Sequence, residues 1–217
     1  MAKNVSTLKG KALWAKVFEG QQEKFDNASR KFVKAPDGDF SISLVVSEIE
    51  AAEMCENLEQ IANEAFATQV KRDPKLKNTL STRHNFEPEY DENGDATGNL
   101  LFKFKAKART KDGMHRKIMV VDAKRKPMTD MGIEIGNGSV VKVAFNAIPN
   151  YVPAQKTIYC TLYISAIQVI ELNEYNGASS VFEDEDGYVA QAVERDNHQE
   201  SYFEEDESAD VAVEGDF

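Results

Sequence analysis

The stretch that decides the fold reads Leu100-Leu101-Phe102-Lys103-Phe104-Lys105-Ala106-Lys107-Ala108-Arg109-Thr110-Lys111. Apolar and basic residues alternate along it, which is the two-residue period of a strand with one face in a core and the other in solvent. The basic face carries Lys103, Lys105, Lys107 and Arg109. Residues on one strand face recur about every 6.5 Å, close to the phosphate spacing of an extended single nucleic-acid strand. This row is a candidate DNA-binding surface, and the solvated face of an ordinary strand is the alternative.

The charge of the chain changes sign near Glu171. Residues 1–170 hold 25 Lys+Arg and 21 Asp+Glu, whereas residues 171–217 hold 16 Asp+Glu and, among the basic residues, Arg195 alone. A block of like charge at one terminus is typical of an interaction tail joined to a folded domain. We therefore expect one domain over residues 1–175 and an acidic, largely disordered tail over residues 176–217.

One helix and several short strands are predicted around the basic stretch. Ser47 and Glu50 form a capping-box pattern before apolar residues at helical spacing, which predicts a helix ending near Arg72. Strands are predicted at 12–18, 40–44, 116–121, 139–148 and 157–170, and the polar region 74–98 is predicted to be mostly loop. The last strand is expected to bury one face, made of Ile158, Cys160, Leu162, Ile164 and Ala166. This pattern predicts a mainly β protein, a five-stranded Greek-key barrel of the oligonucleotide-binding kind (OB-fold) with one α-helix.

Three tyrosines are candidate platforms for base stacking. Tyr159 and Tyr163 lie on the polar face of the last predicted strand, where cross-strand packing is the alternative. Tyr151 lies in a predicted loop, 149–153, whose two prolines leave its ring few ways to become buried. Packing over the mouth of the barrel is the alternative for Tyr151.

Little in the sequence points to catalysis or to a bound cofactor. Asp112, Asp122 and Lys124 loosely imitate the residues of a metal-dependent nuclease, but turn chemistry accounts for both aspartates. The three histidines show no ligand spacing with Cys55 or Cys160, which we expect to be packed thiols in a reducing compartment. No stretch approaches the roughly 18 apolar residues of a membrane span, so we expect a soluble cytoplasmic protein without metal or cofactor.

Several strings, taken in order, resemble a known family. They are Phe102-Lys103-Phe104-Lys105-Ala106, Val120-Val121-Asp122-Ala123-Lys124-Arg125-Lys126-Pro127-Met128, Gly136-Asn137-Gly138-Ser139-Val140-Val141-Lys142-Val143 and the terminal Gly215-Asp216-Phe217. Their order and spacing resemble the single-stranded DNA-binding proteins of short-tailed, T-seven-like bacteriophages. The resemblance covers residues 85–172 and the extreme C-terminus, and is weaker before residue 85.

The resemblance implies a non-enzymatic OB-fold homodimer that coats and protects single-stranded DNA in phage DNA replication, recombination and repair and promotes strand annealing. It also implies contacts of the tail with the replicative DNA polymerase and the helicase-primase, in the cytoplasm of the infected bacterial host. The family's DNA-contacting surface falls on the strand of Lys142 and on the 149–153 loop. Two departures from the family pattern are Ala144, where a second lysine can stand, and Asp37, at a turn position that can be basic.

The acidic tail ends in an aromatic residue. Glu214, Asp216 and Phe217 are candidate partner-binding residues. A terminal aromatic ring preceded by acidic residues can dock in an apolar pocket of a partner protein that is rimmed by basic residues. The same acids can occupy the basic surface when DNA is absent, and a purely solubilising tail is the alternative. For the whole chain, an RNA chaperone or a nucleic-acid adaptor on the same barrel is the alternative function, and a nuclease is the least supported.

Overall fold

The computed structural model describes residues 5–110, 112–128 and 133–174. The predictions for the acidic tail, its disorder and the roles of Glu214, Asp216 and Phe217 all lie outside these residues. Within them there is one α-helix, α1 (Glu48–Arg72), and there are two short 3-10 helices, Pro74–Asn78 and Pro153–Gln155. The ten strands are β1 (Ser6–Lys16), β2 (Glu23–Asp26), β3 (Lys31–Lys34), β4 (Asp39–Ser47), β5 (Ser81–His84), β6 (Phe86–Tyr90), β7 (Ala96–Lys107), β8 (Met119–Val121), β9 (Val140–Val152) and β10 (Thr157–Glu171).

Five long strands pair in a cycle. Strand β1 pairs antiparallel with β4 and with β9, β9 pairs antiparallel with β10, and β7 pairs antiparallel with β4. A parallel pairing of β10 with β7 completes the cycle. The buried side chains of these strands belong to one hydrophobic cluster, whose largest members are Phe40, Phe102, Phe104 and Phe145. The predicted mainly β architecture with one helix is therefore confirmed.

Strand β7 has the predicted two-residue alternation. Phe102, Phe104 and Ala106 are buried, whereas Lys103, Lys105 and Lys107 are exposed. The core face packs tightly, since the rings of Phe104 and Phe145 lie edge to face with centroids 5.1 Å apart. The three lysines consequently point outward from the strand cycle, on a surface that β4 and β10 flank.

Helix α1 begins and ends where its sequence predicts. The Ser47 hydroxyl accepts the backbone N–H of Glu50 at 3.3 Å, which caps the helix, and it donates to the Glu50 carboxylate at 2.7 Å. The helix ends at Arg72, ahead of Pro74. Among the described residues, no helix combines the length and the apolar character that a membrane span requires.

The prediction of a loop over residues 74–98 is wrong. The region contains a 3-10 helix, strands β5 and β6, and the start of β7. Among the described residues, β5 pairs with β10 alone and β6 pairs with β7 alone, so both are edge strands, and neither has a buried side chain. Pro88 lies within β6, where the missing N–H of a proline is tolerated because an edge strand has a free side. The polar composition therefore reflects edge position rather than irregular backbone.

Bulges in β1 and β10 alter the predicted strands. Strand β1 begins earlier than predicted and shifts register between Leu13 and Lys16, where Trp14 has a φ of 51° and is 59% exposed. Strand β10 shifts register between Ile164 and Ala166. The next buried side chain after Ile164 is therefore Ile167, three residues later instead of two. The expectation that Ala166 lies on the buried face is therefore wrong, because one extra residue moves the following side chains to the other face.

Close contact between β1 and β4 depends on a glycine. A Cβ at Gly10 would lie 2.6 Å from the carbonyl oxygen of Val45 and 2.7 Å from a methyl group of Val46. No larger side chain fits there without displacing the backbone of β4. This approach brings β1 against β4 on one side while β1 pairs with β9 on the other.

Candidate nucleic-acid interface

Tyr163 lies at the centre of a row of outward-facing side chains that three strands supply. It stands opposite Lys105 of β7 on one side and opposite Asn146 of β9 on the other. The Tyr163 side chain is half-buried, whereas Lys105 is exposed. A ring, a cation and an amide thus lie side by side, with adjacent strands about 4.8 Å apart.

A groove of about 820 Å³ runs past this row. Its cations are Lys107, Arg109, Arg116 and Lys117, and its neutral polar side chains include Asn146, Asn150 and Tyr163. Asp112 is the acid in its lining. Excess positive charge beside a tyrosine ring suits a ligand that is a polyanion and also has flat faces. Of the predicted site residues, Lys107, Arg109 and Tyr163 are brought together here.

A short turn holds the two arginines at the groove. Arg109 pairs with His115 in an isolated bridge, and the Arg109 guanidinium donates to the carbonyl oxygen of Gly113 at 3.3 Å. The backbone N–H of Arg116 donates to Ala108 at 2.7 Å. Arg109 and Arg116 therefore lie on adjoining backbone segments, which concentrates their charge on one side of the groove.

The β2–β3 hairpin presents two phenylalanine rings beside the same lysines. Phe25 and Phe32 are register partners, and their rings lie edge to face with centroids 5.3 Å apart. They are 47% and 67% exposed, which is unusual for apolar rings. A depression of about 560 Å³ next to them is also lined by Lys24, Lys105 and Lys107. Exposed rings beside cations are an arrangement that binds single-stranded nucleic acids.

Three acids neutralise part of this surface, and one of them is Glu19, whose carboxylate lies 2.9 Å from the ammonium group of Lys117 in the groove. The Lys24 ammonium lies 2.9 Å from the Asp37 carboxylate, and this hydrogen bond holds the pKa of Asp37 below its usual value. Lys103 lies 2.6 Å from the Glu87 carboxylate of β6. Lys103 therefore belongs to the predicted basic row by position, but its charge is already compensated, unlike those of Lys105 and Lys107.

Tyr159 lies further along the outer face of β10. It stands opposite Asn150 of β9 and opposite Arg83 of β5. Its hydroxyl hydrogen-bonds to the Gln155 side chain, which fixes the direction of the ring. Arg83 is exposed, so this row repeats the pairing of a tyrosine with a cation seen at Tyr163.

The prediction that Tyr151 lies in a loop is wrong. Residues 149–152 are the end of β9 and pair with β10, so Tyr151 stands opposite Ile158. Tyr151 is half-buried and packs against a second hydrophobic cluster, Leu76, Leu80 and Ile158, below helix α1. Its ring therefore contributes to packing and does not line the Tyr163 groove, and its contact with DNA stays a prediction.

Sequence reasoning missed the hairpin aromatics and the groove amides. Phe25 and Phe32 lie in a polar, charged segment, and large apolar residues in such a segment are the signal that marks them. Nothing in the sequence marks Asn146 and Asn150 as site residues, because only the pairing of β9 with β10 places them beside Tyr163 and Tyr159.

Of the residues that imitate a nuclease, Asp122 has a structural role in its turn. The Asp122 carboxylate accepts the backbone N–H groups of Lys124 and Lys126, both at 2.8 Å. Asp112 is exposed and lies in the 109–115 turn. In the part of the chain that the structure describes, no cluster of His, Cys, Asp and Glu side chains is arranged to hold a metal ion.

Comparisons with known proteins agree with this geometry. A family model described as the single-stranded DNA-binding protein of bacteriophage T7 matches residues 20–172. The single-stranded DNA-binding protein of Escherichia phage T7 is 29% identical over 214 residues, which cover 89% of this chain and 90% of the relative. The crystal structure of the bacteriophage T7 protein has a TM-score of 0.62 at 24% identity and covers 88% of this chain and 100% of that chain. A bacteriophage Enc34 single-stranded DNA-binding protein, solved in complex with single-stranded DNA, has a TM-score of 0.52 at 9% identity, over 81% of this chain and 91% of that chain. Both structures share the fold.

Proposed function

Because this chain belongs to the bacteriophage T7 family of single-stranded DNA-binding proteins, we propose that it coats and protects single-stranded DNA during phage DNA replication, recombination and repair. The observation that carries the proposal is the grouping of Tyr163 with Lys105, Lys107 and Arg109 on one outer face. The family consists of binding proteins, so the chain is not an enzyme.

Charge supplies most of the affinity in this proposal. Lys105, Lys107, Arg109 and Arg116 contact phosphates and release the counterions condensed on the strand, at roughly 0.7 per phosphate neutralised. These contacts do not read the bases. Binding is therefore expected to be sequence-independent and to weaken steeply as salt rises.

Aromatic rings supply the preference for single strands. Stacking of an exposed base on Tyr163, Phe25 or Phe32 contributes about 1–3 kcal/mol per base. A duplex hides the faces of its bases, so it gains the phosphate contacts without the stacking. Single strands should consequently bind more tightly than duplexes of the same length.

We further propose that the cycle β1–β4–β7–β10–β9 is an OB-fold barrel. The support is the order of pairing, with a single parallel contact between β7 and β10. The DNA face then includes β7, the third strand of that barrel, and lies beside the long β1–β4 connection that contains the hairpin. The second and third strands and this connection are where OB-folds commonly bind oligonucleotides.

The remaining parts of the proposal concern partners. The protein acts as a homodimer, promotes annealing of complementary strands, and works in the cytoplasm of the infected bacterial host. Its acidic tail recruits the replicative DNA polymerase and the helicase-primase, with Glu214, Asp216 and Phe217 as the contacting residues. The support is the strongly acidic composition of residues 171–217, which suits basic partner surfaces.

A titration of labelled DNA tests the proposal. Single-stranded and duplex DNA of equal length are titrated without magnesium over a salt series, with the full chain and with a truncation ending near Tyr188. Tighter binding of single strands, a steep salt slope and a gain of affinity on truncation are the expected results. An RNA strand of the same sequence is the control, because equal or tighter RNA binding would favour an RNA chaperone. If neither the full chain nor the truncation binds DNA, the basic face of β7 is only the solvated face of an ordinary strand.

A further inference from the structure

The bulge in β1 holds Trp14, the single tryptophan of the chain, outside the strand cycle. Residues 14 and 15 both stand opposite Ile42 of β4, so β1 has one residue more than its partner at this point. Ala15 packs against the hydrophobic cluster, whereas Trp14 is 59% exposed. A bulge re-aims a side chain in this way, and such bulges are over-represented next to functional sites.

The turn over residues 136–139 fixes the backbone of Trp14. The φ of Trp14 is 51°, in the left-handed region that bulky residues rarely adopt. Its backbone N–H donates to the side-chain oxygen of Asn137 at 2.8 Å, and the Asn173 side chain donates to the Asn137 carbonyl oxygen at 2.7 Å. A strained residue persists only where its surroundings hold it, and strained residues cluster at ligand-binding sites. The exposed indole is therefore presented by a preset backbone.

A row of register partners connects Trp14 with the Tyr163 groove. Tyr163 stands opposite Lys105, Lys105 stands opposite Ser41 of β4, and Ser41 stands opposite Lys16 of β1. The chain neighbours of these four residues pack in the core, so the row lies on the outer face. Three steps between strands separate Tyr163 from Lys16, about 14 Å in all. Trp14 precedes Lys16 by two residues, so an exposed ring lies near each end of the row.

Positive charge decreases along this row towards β1. Lys105 lines the depression beside the hairpin together with Ser41 and Glu23. The Lys16 ammonium forms an ion pair with the Glu23 carboxylate, which compensates its charge. A nucleic-acid strand at this end gains little from phosphate contacts, but a base can stack on the indole of Trp14 whatever its sequence.

We infer that Trp14 is the far stacking platform of the DNA-binding face, so that a bound single strand crosses β10, β7, β4 and β1 in turn and extends beyond the Tyr163 groove. The inference rests on the proposed function. Its path passes to one side of Lys142, which stands opposite Lys9 nearer the start of β1. A short oligonucleotide fills the groove alone, whereas a longer one also reaches Trp14. The distance between the two rings therefore sets the length of strand that binds with full affinity.

The experiment titrates the full chain with labelled thymidine oligonucleotides of about 4 to about 16 nucleotides, the range of site sizes of single OB-folds. Anisotropy of the label gives the affinity, and emission of Trp14 in the same titration reports on its ring. Trp14→Gly removes the ring at a φ that glycine adopts without strain, and Trp14→Phe keeps a ring. Tyr90→Ala is the matched control, because Tyr90 is 61% exposed and lies on the edge strand β6.

The longest oligonucleotide should quench the emission of Trp14. Trp14→Gly should bind it about tenfold more weakly, the effect of losing one stacked base, with an unchanged salt slope. The same variant should bind the shortest oligonucleotide normally, and Trp14→Phe and Tyr90→Ala should bind both as the unchanged chain does.

Two results would overturn the inference. If the emission of Trp14 is unchanged when the longest oligonucleotide saturates the protein, the ring lies off the DNA path and is available to a protein partner instead. If Trp14→Gly weakens the shortest and the longest oligonucleotides equally, Trp14 acts through the fold and not by stacking. Absence of an anisotropy change with the unchanged chain would instead overturn the proposed function.

Discussion

Tyr163 of β10 and Lys105 of β7 are register partners on neighbouring parallel strands. The two strands that carry this stacking ring and this phosphate-binding cation lie about 4.8 Å apart. One nucleotide can then contact both side chains, through its base and its phosphate. The two contributions can be separated experimentally, because only the cation responds to salt.

Replacing Tyr163 by alanine is expected to weaken single-stranded DNA binding by about tenfold to a hundredfold, the effect of losing one stacked base. The slope of log affinity against log salt concentration should stay unchanged, since no charge is removed. Tyr163→Phe is the control and should retain most of the affinity. The idea of a stacking ring is refuted if Tyr163→Ala changes the salt slope but not the affinity at low salt.

Replacing Lys105 and Lys107 by glutamine should reduce the magnitude of the salt slope by about 1.4, twice the value for one phosphate of a single strand. Lys103→Gln is the comparison, and it should have a smaller effect because Glu87 already compensates that charge. Fluorescence titrations at several salt concentrations measure both. An effect of Lys103→Gln as large as that of either other lysine would show that the Glu87 ion pair opens on binding.

Phe32→Ala should weaken single-stranded DNA binding by at least about fivefold while leaving the Tm nearly unchanged, because the ring is 67% exposed. The matched control is Ile49→Ala, which removes another exposed apolar side chain at the start of α1. Duplex affinity should be unaffected in both variants. Equal single-strand affinities of the two variants would exclude the hairpin from the interface.

Asp37→Asn should tighten DNA binding by about twofold to fivefold, since it removes a charge beside Lys105 and Lys107 and frees Lys24. Glu92→Gln removes the same charge in the turn before β7, far from the groove, and should have little effect. The comparison is made at one low salt concentration. A weaker affinity of Asp37→Asn would mean that the Lys24–Asp37 pair positions the hairpin for binding.

Tyr151→Ala should lower the free energy of unfolding by about 2 kcal/mol, since its ring packs against Leu76, Leu80 and Ile158. This corresponds to a fall in Tm of about 4–8 °C. Tyr151→Phe should preserve the stability, and both variants should bind DNA normally at temperatures where they are folded. If Tyr151→Ala lowers the affinity for DNA but not the stability, Tyr151 is instead part of the DNA interface.

The family prediction made from the sequence is confirmed by the match over residues 20–172. Local patterns carried the predictions that succeeded. The alternation along β7 and the capping box at Ser47 depend on neighbours within a few residues, so their geometry follows from residue order alone. The same patterns located the lysine row without revealing that Glu87 compensates Lys103, because that contact crosses to another strand.

The sequence by itself therefore determined the strand faces, the helix and the charge division between body and tail. Only the tertiary structure decided which of those faces meet. Register between distant strands placed Lys105 beside Tyr163 and Lys9 beside Lys142, the bulge in β10 turned Ala166 away from the core, and helix α1 covered Tyr151. The physical reason is that side-chain periodicity is a local property, whereas register is set by long-range pairing and by packing of the whole core.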